Sequence, residues 1–172
     1  MALLDKFNKL ATVDRRLREL AAQIATRVTQ VMGPDYHVQI TFGVRSLAEQ
    51  DALFWQGRDT LEVVNGKRKT AGLQPITAAQ NRGTVTFARA GKSPHNYGAA
   101  IDLVGIKNRQ ALWESKPIWD IVGEVVLANP EFTWGGDWNR NGRSDDEKFL
   151  DRPHVELTAW RDIAAGKAGI IP

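Results

Sequence analysis

Apolar residues recur at helical spacing from residue 4 to residue 32. This periodicity predicts either one long helix or two shorter ones, with Thr12 or Asp14 capping the second. The turn sequence Gly33-Pro34-Asp35 ends the segment. The apolar positions concerned are Leu4, Phe7, Leu17, Leu20, Ile24, Val28 and Val31. We therefore expect residues 1–33 to form a helical segment that packs on the rest of the protein.

A clean alternation of apolar and polar side chains in Tyr36–Phe42 predicts a half-buried strand. Directly after it, Ser46-Leu47-Ala48-Glu49 has the spacing of a capping box and opens a helix that runs to about Trp55. Arg45 lies at this strand-to-helix junction, where a side chain can be directed into a cleft. The remaining predicted elements are strands at 97–104, Phe132–Trp134 and His154–Leu157, a helix within 110–128 whose early turn contains Pro117, and a closing helix capped by Thr158.

Residues 57–92 carry a weaker pattern. Asn65-Gly66 predicts a turn or a small hairpin, residues 75–80 a helical turn, and residues 84–87 a short strand. Long segments of this kind often form the wall or lid of a cleft. Because the 172 residues contain no internal repeat and no linker-like composition, we expect one α+β domain over 1–172, a small antiparallel sheet with flanking helices.

The amino-acid composition limits the metal ligands and the partners that the chain can have. Hydrophobic residues at 42% and charged residues at 25% are typical of a globular protein. Without cysteine there is neither a disulfide nor a thiolate metal site, so a metal needs His, Asp, Glu or backbone oxygen. The net charge of +3 suits a solvated surface or attraction to a polyanion such as an anionic cell wall. No basic run is interleaved with aromatic residues, so we expect no nucleic-acid partner. We also expect a monomer.

The beginning of the chain lacks the basic region and the apolar run of a secretory signal. No apolar segment approaches the length that crosses a bilayer. We therefore expect synthesis in the cytoplasm, no stable membrane insertion, and release by another factor if the protein acts elsewhere.

Metal-binding chemistry is concentrated in two stretches. The first is Ser93-Pro94-His95-Asn96-Tyr97-Gly98-Ala99-Ala100-Ile101-Asp102, and Asp151-Arg152-Pro153-His154 follows about fifty residues later. Together they supply two imidazoles and two carboxylates, a ligand set typical of zinc with one open position.

Strand alternation decides which of these groups share a face. Asp102 shares its face with small residues such as Ala100, which leaves room for a metal, a water and a substrate. On the second strand, His154 and Glu156 share a face. Asp151 is close enough to face the metal without binding it, as a general base does. Either histidine alone could be an ordinary hydrogen-bonded residue, but the two combinations of His with Asp together favour a metal site.

The pattern Ser93-x-His95-x-x-Gly98-x-Ala100-x-Asp102 resembles, at every named position, the first signature of the zinc D-alanyl-D-alanine and L-alanyl-D-glutamate peptidases. Asp151-x-x-His154 resembles the second signature of that family, and the similarity covers about residues 36–160. The phage endolysins that cut the L-Ala-D-Glu bond are the most similar members. The segments that carry this closer similarity are Phe42-Gly43-Val44-Arg45-Ser46, Gln56-Gly57-Arg58 and Trp134-Gly135-Gly136-Asp137-Trp138.

The resemblance implies a role for each matching residue. The zinc ligands would be His95, Asp102 and His154. Asp151 would deprotonate the attacking water and later pass the proton to the leaving amine. Arg45 would stabilise the oxyanion, with a surface ion pair as the alternative for this residue. Ser93 would help to bind the substrate.

The segment that precedes the second signature is longer than in many relatives and rich in oxygen. The candidate calcium ligands in it are Asp137, Asn139, Asn141, Asp145 and Asp146. The first half of the segment copies a calcium loop, with Gly142 at the turn position. The second half departs from it, because Lys148 occupies the twelfth position and Glu147 falls one place early. This segment has two alternative interpretations. It is either a calcium-binding loop or a solvated loop whose Asx turns bond to its own backbone.

Three functions are compatible with this sequence. The first is a zinc endopeptidase of bacterial peptidoglycan that acts in phage lysis, waiting in the host cytoplasm and reaching the periplasm and cell wall after the membrane is permeabilised. The second is a D-alanyl-D-alanine carboxypeptidase or dipeptidase. The third is a zinc-holding interaction module without activity, which the presence of both Asp151 and Arg45 disfavours.

Overall fold

The computed structural model describes residues 3–4 and 9–172. The chain divides into two compact units. The first, which we call the sheet unit, consists of Met1–Val44 and Tyr97–Pro172, and the second, the helical unit, is Arg45–Asn96. Strands and helices together confirm the α+β class. The expectation of one domain stays a prediction.

The sheet unit is built on one sheet. Its strands are β1 Leu3–Leu4, β2 Tyr36–Phe42, β3 Ala100–Lys107, β4 Gln110–Ala111, β5 Phe132–Trp134 and β6 His154–Leu157. Their order in the sheet is β1-β2-β3-β6-β5, with β4 paired to β3. Among the described strands every pairing is antiparallel except that of β1 with β2. The register of β2 against β3 shifts between Ile40 and Phe42, and such bulges are common beside functional sites.

Two amphipathic helices of the sheet unit supply much of its hydrophobic core. They are α1, Arg15–Met32, and α4, Lys116–Leu127, and a short helix α5, Trp160–Ala164, closes the chain. The buried positions of α1 recur every three or four residues, as an amphipathic helix requires. They are Leu17, Leu20, Ala21, Ile24, Ala25 and Val28. Of the described helices, none combines the length and the apolar character needed to cross a bilayer.

The beginning of α1 agrees with one of the predicted caps. Asp14 is the N-cap, and its carboxylate accepts a hydrogen bond from the backbone N–H of Arg16 at 2.9 Å. Leu4, in contrast, lies in strand β1, whose pairing with β2 places Leu3 beside Val38. The prediction of helix at Leu4 was therefore wrong, and Phe7 lies outside the described residues.

The helical unit contains α2, Leu47–Trp55, and α3, Leu61–Thr70. The predicted capping box is confirmed: the side chain of Ser46 accepts from the N–H of Glu49 at 3.1 Å, and the Glu49 carboxylate accepts from the N–H of Ser46. Only the single turn Gln80–Arg82 forms near the helical turn predicted at 75–80.

Two predictions in residues 57–92 were wrong. Asn65-Gly66 lies inside α3 rather than in a turn, because the Asn65 amide is used elsewhere: it exchanges hydrogen bonds with the backbone of Ile76 at 2.8 and 3.0 Å. No strand forms at 84–87. There the guanidinium of Arg58 donates to the carbonyl of Thr86. A side chain thus satisfies a backbone group that a neighbouring strand would otherwise bind.

Two predictions near the end of the chain also need correction. The segment at 110–128 begins with strand β4, and helix α4 starts only at Lys116, with Pro117 in its first turn as expected. Thr158 does not cap α5. The hydroxyl of Thr158 lies 3.0 Å from the hydroxyl of Thr133 in β5 and donates to the carbonyl of Pro130 at 3.2 Å. It therefore links the segment after β6 to β5 and to the residues before β5.

Candidate metal centre

The strand register places the predicted site residues on one face of the sheet. Asp102 on β3 lies opposite His154 on β6, and Ala100 lies opposite Glu156, so these four side chains share a face. The alternate residues of both strands belong to the hydrophobic core: Ile101, Leu103, Val155 and Leu157. The predicted division into a site face and a core face is confirmed.

Both ring nitrogens of His154 lie against buried carboxylates. Nδ1 is 3.0 Å from Oδ1 of Asp102, and Nε2 is 3.0 Å from Oε2 of Glu156. His154 is only 7% exposed, and each carboxylate residue is 9% exposed. Burial by itself lowers the pKa of the imidazole, but the hydrogen bonds and charges of the two carboxylates outweigh it and raise the pKa of His154 to about 10. The surroundings of this ring therefore strongly favour positive charge.

The loop that carries Asp151 is held by backbone contacts with the end of β5. The N–H of Asp151 donates to the carbonyl of Gly135 at 2.8 Å, and the N–H of Gly135 donates to the carbonyl of His154 at 2.9 Å. The indole N–H of Trp134 donates to the carbonyl of Arg152 at 2.8 Å. A Cβ atom on residue 135 would lie 2.3 Å from the carbonyl oxygen of Asp151, so only glycine allows this approach.

The ring of Trp138 packs beside the imidazole of His154. The two ring centroids are 5.7 Å apart, with the planes inclined by 34°. The indole N–H of Trp138 donates to the carbonyl of Phe149 at 2.8 Å. The rings of Trp138 and Phe149 stack with their centroids 6.5 Å apart. In the sequence, Trp138 is part of a motif and has no assigned role. In the structure its ring lies beside the imidazole of His154.

The first signature forms a tight helical turn, Pro94–Tyr97, in which His95 is 2% exposed. The backbone N–H of Arg45 donates to the carbonyl of His95 at 3.0 Å, and the side-chain amide of Asn96 donates to the carbonyl of Arg45 at 3.0 Å. Arg45 is thus joined to the first signature, about fifty residues later in the chain. Gly98 follows the turn with a φ of +67°, a conformation that favours glycine.

The three predicted ligands lie together. One ligand atom from each of His95, Asp102 and His154 lies within 4.8 Å of the others, and the described residues contain no other such group of His, Asp or Glu. Two imidazole nitrogens and one carboxylate oxygen are the donor set of catalytic zinc sites that keep a fourth position open. The residues therefore fit a zinc ion, and their role as ligands stays a prediction.

The guanidinium group of Arg45 contacts a buried amide. Its Nη1 donates to Oε1 of Gln50 at 3.4 Å, and Nε2 of Gln50 donates to the carbonyl of Ala88 at 2.8 Å. Gln50 is 0% exposed, so its amide is fixed between these partners. No sequence motif indicated this residue. The sequence feature that could have indicated Gln50 is its spacing in α2. It lies three residues before Leu53 and four before Phe54, and therefore on the buried face of the helix.

The other two predicted residues of the site differ in exposure. Ser93 is 3% exposed, and its carbonyl accepts from the N–H of Asn96 at 3.0 Å, which opens the turn that carries His95. Its contact with substrate stays a prediction. Asp151 is partly exposed, as a group that exchanges a proton with water requires.

The oxygen-rich loop bonds to its own backbone. The carboxylate of Asp137, 1% exposed, accepts from the N–H groups of Asn141 and Gly142 at 3.1 and 2.8 Å. Asp145 forms an ion pair with Arg143 at 3.0 Å. Two further loop residues bond to Asn141: Asn139 and Asp146. These contacts are the ones expected of a solvated loop whose Asx turns bond to its own backbone. Calcium binding by this loop stays a prediction.

The sheet carries the imidazole of His154 and the carboxylate of Asp102, and the turn Pro94–Tyr97 carries the imidazole of His95. This donor set is that of a candidate metallohydrolase. A family model described as phage L-alanyl-D-glutamate peptidase matches residues 58–158, which is more than half of the chain. The chain therefore belongs to the phage L-alanyl-D-glutamate peptidase family.

The chain is also similar to one bacterial protein. The peptidoglycan L-alanyl-D-glutamate endopeptidase CwlK of Bacillus subtilis (strain 168) is 34% identical over an alignment of 129 residues, and the match covers 70% of this chain. The match spans 60% of the length of that relative.

Two solved structures are similar to the chain. The L-Ala D-Glu endopeptidase ChiX of Serratia marcescens has a TM-score of 0.48 and 18% identity, with 94% of each chain covered. The vancomycin-resistance D,D-pentapeptidase VanY, in complex with Zn(II), has a TM-score of 0.46 and 15% identity, covering 91% of this chain and 80% of that one. Both TM-scores lie below 0.5, too low to assign a function.

Proposed function

We propose that this protein is a zinc-dependent endopeptidase that cleaves the L-Ala-D-Glu bond of bacterial peptidoglycan stem peptides. The observation that carries the proposal is the close grouping of His95, Asp102 and His154 in a chain that matches the L-alanyl-D-glutamate peptidase family model. This donor set suits zinc because it leaves a coordination position for the reaction.

Each residue of the site has a distinct task in this proposal. His95, Asp102 and His154 would hold the zinc ion, which when bound would supply Lewis acidity for the hydrolysis of a peptide bond by water at neutral pH. The carboxylate of Asp151 accepts the proton of the attacking water and then donates it to the nitrogen of the leaving amine. The guanidinium of Arg45 stabilises the negative charge that develops on the carbonyl oxygen.

We propose lysis of a bacterial host by a phage as the biological setting. The family model is one of phage enzymes, and the net charge of +3 favours approach to an anionic wall. In this setting the enzyme is made in the host cytoplasm and meets its substrate in the periplasm once the membrane is permeabilised.

The experiment that tests the bond specificity is product analysis by mass spectrometry, after incubation of purified Gram-negative peptidoglycan with the protein. We expect new amino termini on D-Glu, and we expect Asp151→Ala to reduce their formation by about 10²–10⁴-fold. Release of terminal D-Ala would instead indicate a D-alanyl-D-alanine carboxypeptidase. No cleavage by a protein that binds one zinc ion would exclude the endopeptidase on this substrate and favour a binding module.

A further inference from the structure

Glu156 is a buried carboxylate that the proposed reaction does not use. It lies two residues after His154 on β6 and is 9% exposed. Its Oε2 is 3.0 Å from Nε2 of His154. Burying a carboxylate costs free energy unless a partner compensates for the lost water. The position of this carboxylate therefore calls for an explanation.

The strand neighbours of Glu156 leave His154 as its hydrogen-bond partner. In the register, Glu156 lies opposite Ala100 on one side and Thr133 on the other. Alanine has no polar side chain, and the Thr133 hydroxyl is 3.0 Å from the hydroxyl of Thr158. Among the hydrogen bonds of the described residues, the carboxylate of Glu156 is engaged by the imidazole of His154.

The two nitrogens of His154 face different carboxylates. Nδ1 is 3.0 Å from Oδ1 of Asp102, which is a member of the candidate ligand group, whereas Glu156 is not a member. A histidine that binds a metal through one nitrogen usually donates its other N–H to a carboxylate or carbonyl, which fixes the tautomer and the orientation of the ring.

We infer that Glu156 is a positioning residue: its carboxylate accepts the Nε2–H of His154 and thereby keeps Nδ1 directed at the metal position beside Asp102. This inference rests on the proposed zinc site. It assigns Glu156 neither metal binding nor proton transfer, which belong to the three candidate ligands and to Asp151. Its effect is on zinc affinity and on the protonated nitrogen of His154, so both can be measured without turnover.

The test compares three variants with the wild-type protein. Glu156→Ala removes the acceptor, and Glu156→Gln keeps an acceptor oxygen without the charge. Thr133→Val is the matched control, because it changes the residue opposite Glu156 on the same sheet face without touching His154. Circular dichroism and thermal unfolding establish that each variant is folded.

The first readout is the zinc dissociation constant, measured by competition with a chromogenic chelator. We expect Glu156→Ala to bind zinc about 10–100-fold more weakly than the wild type. We expect Glu156→Gln to lose less affinity than the alanine variant and Thr133→Val to keep the wild-type affinity.

The second readout is a two-bond ¹H–¹⁵N correlation spectrum of the zinc-loaded, ¹⁵N-histidine-labelled protein. In the wild type it should show His154 protonated at Nε2, and in Glu156→Ala that signal should broaden or shift.

The outcomes separate this inference from the proposed function. Equal zinc affinity and an unchanged His154 signal in wild type and Glu156→Ala would overturn the inference alone. A loss in Glu156→Gln as large as in the alanine variant would also overturn it, because charge rather than an orienting hydrogen bond would then be responsible. Failure of the wild-type protein itself to bind zinc would overturn the proposed function and this inference with it.

Discussion

The imidazole of His154 is held from both of its nitrogens, by Asp102 and by Glu156. The aromatic ring of Trp138 packs beside it. His95 is fixed differently, through the backbone of a short turn whose carbonyl accepts from the N–H of Arg45. At the scale of single residues, the candidate ligands are therefore held in place by protein contacts, which is how binding sites achieve precise geometry.

Arg45→Ala tests the proposed oxyanion role. We expect the turnover number to fall by about 10²–10³-fold, with zinc affinity unchanged, because Arg45 is not a member of the candidate ligand group. Steady-state kinetics on a stem-peptide substrate and chelator competition measure the two quantities. Arg82→Ala, which removes an exposed arginine of the same unit, is the matched control and should leave both unchanged. An unchanged turnover number in Arg45→Ala would favour the surface ion pair.

The sequence predicted the face of the sheet that carries Asp102 and His154, because strand alternation decides this without knowledge of the rest of the fold. It could not predict the partners of Gln50, whose amide bonds to the carbonyl of Ala88 far along the chain. It placed Glu156 on the face of His154 but could not assign the hydrogen bond between them. Such contacts depend on rotamers and on distant segments, which spacing does not encode.

At the scale of elements, β6 and the loop before it are positioned by the end of β5. The carbonyl of Gly135 accepts from the N–H of Asp151, and the N–H of Gly135 donates to the carbonyl of His154. The indole N–H of Trp134 donates to the carbonyl of Arg152. One short segment thus aligns the proposed base with a candidate ligand.

Gly135→Ala should disturb this alignment, because its Cβ would lie 2.3 Å from the carbonyl oxygen of Asp151. We expect a loss of about 1–3 kcal/mol in the free energy of unfolding, together with weaker zinc binding. Denaturant unfolding and chelator competition measure these effects. In the matched control Gly66→Ala, the Cβ meets nothing within 4 Å in the interior of α3, so we expect stabilisation of about 0.5–1 kcal/mol. Equal stability of the two variants would contradict the role given to Gly135.

Elements with strong periodicity or a complete cap were predicted well, as α1 and α2 show. The errors in residues 57–92 have a common physical cause. There, side chains such as Asn65 and Arg58 satisfy backbone groups that would otherwise join a turn or a strand. A sequence pattern records the propensity of a segment, and these hydrogen bonds override it.

At the scale of the whole molecule, Asp14 links the start of α1 to the last residues of the chain. Its carboxylate accepts from the N–H of Ile171 at 2.8 Å and from the guanidinium of Arg16 at 3.0 Å. Burial alone would raise the pKa of Asp14, but these hydrogen bonds outweigh it and lower the pKa.

The lowered pKa of Asp14 predicts a pH dependence of stability. Because the ionised form is favoured in the folded state, its contribution is fully present above the unfolded-state pKa of 3.8 and is lost as the pH falls through the folded-state pKa. Asp14→Asn keeps a good N-cap residue and removes the charge. We expect it to lower the free energy of unfolding by about 1–3 kcal/mol at neutral pH, and the difference from wild type should vanish in strong acid. Denaturant titrations across this pH range measure it, and a difference that is independent of pH would contradict the argument.

We propose that the grouping of His95, Asp102 and His154 holds the zinc on which peptide cleavage depends. The most direct measurement is reconstitution: the protein is stripped of metal with a chelator, and cleavage of a defined L-Ala-D-Glu stem peptide is followed as zinc is added. We predict that activity is lost on stripping and returns fully at one equivalent of zinc, and that Asp102→Ala and His154→Ala do not recover. Full cleavage by the verified metal-free protein, or by either variant, would contradict the claim.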